Sequence, residues 1–215
     1  MAQELERRGR IAVVPSLVGV AEAPEPQWRH VSNAVRRATS HLHQRIILVG
    51  HSGGALLLPV IADASDNEVA ALIFVDAFLP PPAGRLPLGR PAFMDQLRAM
   101  ATDGVLPPWS HWFGADAMRE LVPDEGLRAD LEAEMPSLPL SYFEATVPVP
   151  DDWTERPCGY LLLSAGPYGE SAAEARAYGW PVIEIRDVQH LAIATNPIPV
   201  TEAVLDIERS LEQSS

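Results

Sequence analysis

One stretch of the sequence restricts the fold more than any other, because an apolar, β-branched run there meets a serine flanked by glycines. The stretch reads Arg45-Ile-Ile-Leu-Val-Gly-His-Ser-Gly-Gly-Ala-Leu-Leu-Leu-Pro59. Its first part predicts a strand, and the apolar residues after the glycines predict a helix. Residues Gly50 to Gly54 match the pattern G-x-S-x-G, in which the serine sits on a sharp strand-to-helix turn. The pattern therefore places Ser52 at the mouth of a helix, whose N–H groups can face a developing negative charge.

Segments with apolar residues at helical spacing alternate with short apolar runs that are typical of buried strands. Before the middle of the chain, the predicted helices are 2–9, 28–42 and 53–64, and the predicted strands are 10–15, 45–49 and 70–75. Towards the C-terminus, the predicted elements are strand 159–164, helix 170–178, strand 181–185 and helix 198–212. This alternation implies right-handed crossovers and an α/β fold with a mostly parallel sheet flanked by helices.

The segment 80–157 differs in character from the rest of the chain. It follows the break Leu79-Pro-Pro-Pro82 and is rich in proline, which enforces turns and prevents long helices. Its helical pieces are predicted at 91–102, 115–121 and 126–134. We therefore expect a helical lid at 80–157, inserted in a core that is formed by 1–79 and 158–215.

The composition is that of one acidic globular domain. The 215 residues are 47% hydrophobic, and no run of 18 apolar residues predicts a membrane span. The formal net charge of −13 would repel a phosphate backbone, so we expect neither nucleic acid nor a membrane as a partner. The N-terminal residues lack the apolar core of a signal peptide, and we therefore expect a cytoplasmic protein.

Three parts of the sequence resemble the α/β-hydrolase family. They are residues 46–55, Phe74-Val75-Asp76-Ala77, and the loop Asp187-Val-Gln-His-Leu-Ala-Ile around His190. The resemblance extends, less specifically, from about residue 10 to the C-terminus. It implies a mostly parallel sheet flanked by helices, with a Ser–His–acid triad at the carboxyl ends of the strands and a cap over them.

The resemblance also suggests which residues form the triad. Ser52 would be the nucleophile, and His190, in the loop after the last predicted strand, would be the general base. In most of the family the acid follows the strand that here is 159–164, where Glu170 is the only acid in the next turn. The other position in the family is the end of the preceding strand, where Asp76 directly follows an apolar run. We expect Asp76 to be the acid, with Glu170 as the alternative.

The oxyanion hole is the part of the family pattern that the sequence matches least. The N–H of Gly53 is the expected donor. In the family a second donor comes from a loop after a strand that precedes the first helix, and there is no room for that strand before Ile11. Either the natural chain begins upstream of Met1, or the sheet lacks a strand beside the one at 45–49. An absent strand would leave an open sheet edge that could pair with another subunit, so a homo-oligomer is compatible with the sequence.

Aromatic residues in and next to the predicted lid have two interpretations. They line an apolar substrate pocket, or they form the core of a small insert. The candidates for substrate binding are Phe78, Trp109, Trp112 and Phe113. A histidine also stands beside the serine, but His51 cannot easily reach its neighbour's hydroxyl, and we expect it to pack and to hydrogen-bond instead.

No histidines or acidic residues have the spacing of a metal site, and glycine-rich nucleotide-binding patterns are absent. We therefore expect neither a metal nor a cofactor. The resemblance implies a serine hydrolase that cleaves an ester, thioester or lactone of an apolar small molecule through an acyl-enzyme on Ser52. Two alternatives stay open, a non-catalytic binding or partner protein with this fold, and lyase or cyclase chemistry in the same pocket.

Overall fold

The computed structural model describes residues 1–114 and 116–213. In this part of the chain the strands are β1 Ile46–His51, β2 Val69–Val75, β3 Gly84–Pro87, β4 Val105–Leu106, β5 Leu138–Pro139, β6 Thr146–Val149, β7 Cys158–Leu162 and β8 Val182–Glu184. The α-helices are α1 Ala2–Arg7, α2 Gln27–Thr39, α3 Leu58–Asp63, α4 Pro91–Met100, α5 Ala117–Leu121, α6 Glu125–Glu134, α7 Leu140–Glu144, α8 Ala165–Ala177, α9 Ala192–Thr195 and α10 Pro197–Gln213. The predicted start of a helix at residue 115 lies outside the described residues.

Four strands form the central sheet, in the order β1-β2-β7-β8, and all neighbouring strands run parallel. The prediction of a parallel sheet flanked by helices is thus confirmed. His51 pairs with Val75, and Val75 pairs with Leu161, so the carboxyl ends of β1, β2 and β7 lie side by side. The chain segments that follow these strands therefore meet at one edge of the sheet.

The main core lies between the sheet and the C-terminal helix. Ile73 and Val75 of β2 and Leu161 of β7 belong to one buried cluster with Val204 and Ile207 of α10. Every residue of β7 is buried, as expected for a strand with neighbours on both sides and helices on its faces.

The helix after the serine differs from the single helix predicted at 53–64. A 3₁₀-helix spans Ser52–Leu57, and the α-helix α3 follows it. Two glycines at 53 and 54 weaken α-helix formation, and Pro59 has no N–H to donate to residue 55. Pro59 instead occupies the first turn of α3, where an N–H has no intrahelical partner.

The prediction of a buried strand at 10–15 is wrong. No strand forms there, and the side chains of Ile11 and Val14 are 71% and 76% exposed. A strand requires hydrogen-bonding neighbours, and in the described part of the chain β1 pairs only with β2. The apolar run therefore has the composition of a strand without a neighbour to pair with.

The chain divides into two compact units. One contains 1–16, 32–86 and the chain from 148 onwards, and it includes the central sheet. The other contains 17–31 and 87–147. Within the second unit, β4 pairs antiparallel with β5, and Met94, Leu97, Leu106 and Trp112 form a separate apolar cluster. Among the described residues, no helix has the length and apolar character that crossing a membrane requires.

Candidate active site

The turn after β1 brings Ser52 to the carboxyl edge of the sheet. Ser52 has a left-handed backbone with φ of 53°, a conformation that costs roughly 1–2 kcal/mol for a residue other than glycine. Gly50 allows the turn to pack, because a Cβ there would lie 2.7 Å from the Cα of Ala55. At Gly53 and Gly54 a Cβ would meet no atom within 4 Å. Of the glycines in this motif, Gly50 is the one that packing requires.

Three side chains at this edge form a chain of hydrogen bonds. Ser52 Oγ lies 3.0 Å from His190 Nε2, and His190 Nδ1 lies 2.7 Å from Asp76 Oδ2. An ionised carboxylate only accepts, so Nδ1 donates to Asp76 and Nε2 is left to accept the Ser52 proton. Ser52 and Asp76 follow β1 and β2, and His190 lies in the loop between β8 and α9. This arrangement can move a proton from the hydroxyl to the imidazole.

Asp76 is fully buried, and each of its carboxylate oxygens accepts two hydrogen bonds. Oδ1 accepts from the backbone N–H groups of Leu163 and Ser164, at 2.8 Å each, while Oδ2 accepts from the Ser164 hydroxyl and from His190 Nδ1. Burial opposes ionisation, but these hydrogen bonds outweigh it and hold the pKa of Asp76 below its usual range. The carboxylate is therefore charged and oriented at neutral pH.

Two further rings lie next to the imidazole of His190. The Tyr168 ring stacks on it, with ring centroids 5.3 Å apart, and the His51 ring lies at 4.5 Å with a tilt of 34°. His51 Nε2 is also 2.9 Å from the carbonyl oxygen of His190. Phe78, a predicted substrate-binding residue, contacts Tyr168 at 4.9 Å between centroids.

Ser164 and Tyr168 are contacts of this cluster that the sequence analysis missed. Ser164 lies two residues beyond β7, the strand beside β2, and it is the polar residue that ends the predicted strand 159–164, which was a usable signal. No comparable signal marks Tyr168. Its helix α8 begins at Ala165, five residues before the predicted start at 170, because Pro167 fits the first turn of a helix.

A family model for the α/β-hydrolase family matches residues 1–203. The chain belongs to the α/β-hydrolase family. No curated protein matches its sequence. The family assignment confirms the resemblance that the serine turn, the Asp76 segment and the His190 loop indicated.

Solved structures of other α/β hydrolases share this fold at low sequence identity. An extracellular α/β-hydrolase from a Paenibacillus species has a TM-score of 0.72 and 18% identity, over 96% of this chain and 90% of that one. Polyneuridine aldehyde esterase has a TM-score of 0.67 and 16% identity, and the match covers 96% of this chain and 91% of that one. A pyrethroid hydrolase from Sphingobium faniae JZ-2 has a TM-score of 0.63 and 21% identity, and the match covers 95% of this chain and 88% of that one.

Glu170, the alternative acid, does not take part in this α/β-hydrolase site. It is exposed on α8, whereas the hydrogen bond to His190 Nδ1 goes to Asp76. Gly53 is exposed beside Ser52, and the open space around it leaves room for a reacting group. The sheet has no strand beyond β1 among the described residues, so the second oxyanion donor of the family pattern has no counterpart on that side.

The other three predicted substrate-binding residues lie in the second compact unit. Trp112 is buried in its apolar cluster and donates its ring N–H to the carbonyl oxygen of Pro107 at 2.8 Å. Trp109 packs edge-on against Phe113, whose side chain is 52% exposed. Trp112 thus contributes to the core of the insert, and a role of these residues in substrate binding stays a prediction.

A cleft of about 480 Å³ lies at the carboxyl ends of β7 and β8. It is lined by 163–167 and 184–189, including Ser164, but not by Ser52 or His190. No group of three or more His, Cys, Asp or Glu side chains is arranged to hold a metal ion in the part of the chain that the structure describes.

Proposed function

We propose that this α/β hydrolase is a serine hydrolase that cleaves an ester, thioester or lactone of an apolar small molecule. The hydrogen-bond chain from Ser52 through His190 to Asp76 is the observation that carries the proposal. Its distances are those expected of a nucleophile, a general base and an acid that orients the base.

In the proposed reaction, Ser52 Oγ attacks the carbonyl carbon of the substrate while His190 Nε2 takes the hydroxyl proton. The N–H of Gly53 donates to the resulting oxyanion. His190 then gives the proton to the leaving group, which departs and leaves an acyl group on Ser52. His190 next takes a proton from a water molecule, which attacks the acyl-enzyme. His190 returns that proton to Ser52 Oγ as the bond to the acyl group breaks and the acid is released. Asp76 keeps the imidazole in the tautomer that these steps need and stabilises the imidazolium.

The substrate class rests on the surroundings of the base and on the related structures. The Tyr168 ring stacks on His190 and Phe78 contacts Tyr168, and these aromatic rings near the base favour an apolar group in the substrate. One related structure is named an esterase and another a pyrethroid hydrolase. We extend carboxylic ester cleavage to this chain on that basis.

A non-catalytic binding or partner protein is the second candidate function. The observation in its favour is that β1, the strand that leads to Ser52, is an edge strand among the described residues. An open strand edge can pair with another chain, including a second copy. Lyase or cyclase chemistry would use the same serine and histidine and would differ in its products.

Hydrolysis of short-chain aryl esters by wild-type protein and by Ser52→Ala tests the proposal. We expect Ser52→Ala to fold normally and to lose turnover, because the change removes one partly exposed oxygen and leaves no cavity of consequence. Ser40→Ala, at an exposed serine after α2, is the matched control and should keep full activity. Activity of Ser52→Ala above about a tenth of the wild-type rate would contradict the proposal.

A further inference from the structure

The last residue of β1 and the first residue after it both contact His190. Ser52 Oγ is 3.0 Å from the ring nitrogen Nε2, and His51 Nε2 is 2.9 Å from the main-chain carbonyl oxygen. A carbonyl oxygen only accepts hydrogen bonds, so His51 Nε2 carries a proton and donates it. Two consecutive residues thus hold the same histidine, one at its ring and one at its backbone.

The main chain of His190 belongs to a loop rather than to a regular element. The loop runs from the end of β8 to the start of α9 and includes Asp187, whose φ is 59°. The hydrogen bond from His51 ties this loop to the end of β1, the strand that also delivers Ser52. A displacement of about 1 Å at a catalytic group can cost on the order of 10²-fold in rate. A hydrogen bond that fixes the loop relative to β1 therefore helps to keep His190 at the distance from Ser52 that proton transfer requires.

We propose that His51 is a positioning residue, whose Nε2–H group holds the backbone of His190 so that the imidazole stays within hydrogen-bonding distance of Ser52 Oγ. This inference rests on the proposed function, because it assigns His51 a part in the hydrolytic reaction. His51 itself touches neither the hydroxyl nor the substrate in this role.

The charge state of His51 suits this role. Burial, together with the neighbouring His190, lowers the pKa of His51 to about 4, so the ring is neutral at pH 7. A neutral ring with its proton on Nε2 can donate to the carbonyl oxygen. It also adds no positive charge beside His190, which itself becomes positive when it takes the proton of Ser52.

Two variants distinguish the effect of losing the hydrogen bond from the effect of losing the volume of the imidazole ring. His51→Leu removes the donor but keeps an apolar side chain, and His51→Gln keeps an N–H donor at the end of the side chain. We expect His51→Leu to lower kcat for aryl esters by about 10–100-fold while KM stays within about threefold, since only the reacting geometry changes. His51→Gln should recover most of that loss. A His51→Leu variant with wild-type kcat, or a His51→Gln variant no faster than His51→Leu, would overturn the proposal.

The tautomer of His51 gives a test that depends neither on turnover nor on the folding of a variant. We expect ¹⁵N-resolved NMR spectra of the histidine side chains in the wild-type protein at pH 7 to show the proton of His51 on Nε2. A proton on Nδ1 would overturn the proposal, because Nε2 could then not donate to His190. Retained turnover in Ser52→Ala would contradict the proposed function, whereas an active wild-type enzyme with an Nδ1-protonated His51 would contradict this inference alone.

Discussion

Asp76 is a buried carboxylate with four hydrogen-bond donors, and its replacement by asparagine should change the tautomer of His190. The backbone N–H groups of Leu163 and Ser164 donate to Oδ1, so the asparagine should keep its amide oxygen at that position. Its NH₂ group would then take the place of Oδ2 and face His190 Nδ1. The imidazole would then carry its proton on Nε2 and could no longer accept the proton of Ser52. We expect Asp76→Asn to lower kcat for aryl esters by roughly 10⁴-fold, the scale seen when a triad aspartate is neutralised.

Glu170→Gln is the matched control for Asp76→Asn, because it makes the same chemical change at the alternative acid. Glu170 is exposed and lies on α8. We expect the kcat of Glu170→Gln to stay within about twofold of the wild-type value, since a surface substitution of this kind has little effect. If Glu170→Gln proved the more damaging of the two, the role of the acid would pass to Glu170.

His51 should also make the stability of the folded protein depend on pH. Its pKa is lowered to about 4 in the folded state, against 6.5 for an unperturbed histidine. Between these two values the unfolded chain binds the proton and the folded protein does not, so the free energy of unfolding falls as the pH falls from 6.5 to 4. Over this whole pH range, the titration of His51 should lower the free energy of unfolding by on the order of 3 kcal/mol.

Urea unfolding of the wild type and of His51→Gln at pH 7 and pH 4 measures this contribution. Other groups titrate in both proteins, and the glutamine variant lacks only the titration of residue 51. We expect the wild type to lose more stability on acidification than His51→Gln does. Equal losses in the two proteins would show that His51 is protonated equally in the folded and unfolded states.

Ser52, His190 and Asp76 were candidates from the sequence, and the structure brings these three side chains together. Each follows a predicted strand closely, so the topology of a parallel sheet was enough to place them at one edge. Tyr168 could not be found in this way, because its contact with His190 depends on the start and the orientation of α8. Ser164 was overlooked, although it is the polar residue that ends the predicted strand 159–164.

At the scale of elements, Gly50 controls how closely β1 and the following helix approach each other. A Cβ at this position would lie 2.7 Å from the backbone of Ala55, which cannot move without shifting the turn. We expect Gly50→Ala to lower the free energy of unfolding by about 1–3 kcal/mol, the usual cost of overpacking. It should also reduce activity, because the shift displaces Ser52.

Gly54→Ala is the control for this clash, since both substitutions restrict the unfolded chain to the same extent. A Cβ at Gly54 meets no atom within 4 Å, and the residue lies in a helical turn, where alanine is favoured. We expect Gly54→Ala to be neutral or slightly stabilising in thermal unfolding. A Gly50→Ala protein as stable as Gly54→Ala would contradict the packing argument.

Apolar runs that have neighbouring strands in the central sheet were predicted well as strands, and the apolar run that has no such neighbour was not. Strand β2 was predicted at 70–75 and spans Val69–Val75, because a buried apolar run between two turns leaves little alternative. The apolar run 10–15 has a similar pattern, but it forms no strand. Pairing with a neighbouring strand is a property of the whole sheet, and composition alone does not reveal whether that neighbour exists.

At the scale of the whole molecule, the chain has two compact units where the sequence suggested a core and an inserted lid. The second unit includes most of the predicted lid, namely 87–147, together with 17–31. Proline content marked the first of these segments, but nothing in the pattern of 17–31 predicted that it packs in the same unit as residues far along the chain. The function of the predicted lid, 80–157, stays a prediction.

The central claim is that this fold makes the hydroxyl of Ser52 a nucleophile, and covalent labelling of the intact protein tests it most directly. The protein is treated with an alkyl fluorophosphonate, and the labelled residue is located by mass spectrometry of the intact chain and its peptides. We expect a single addition on Ser52, absent in Ser52→Ala and much slower in His190→Ala, because His190 removes the hydroxyl proton. A folded wild-type protein that takes up no label on Ser52 would contradict the account.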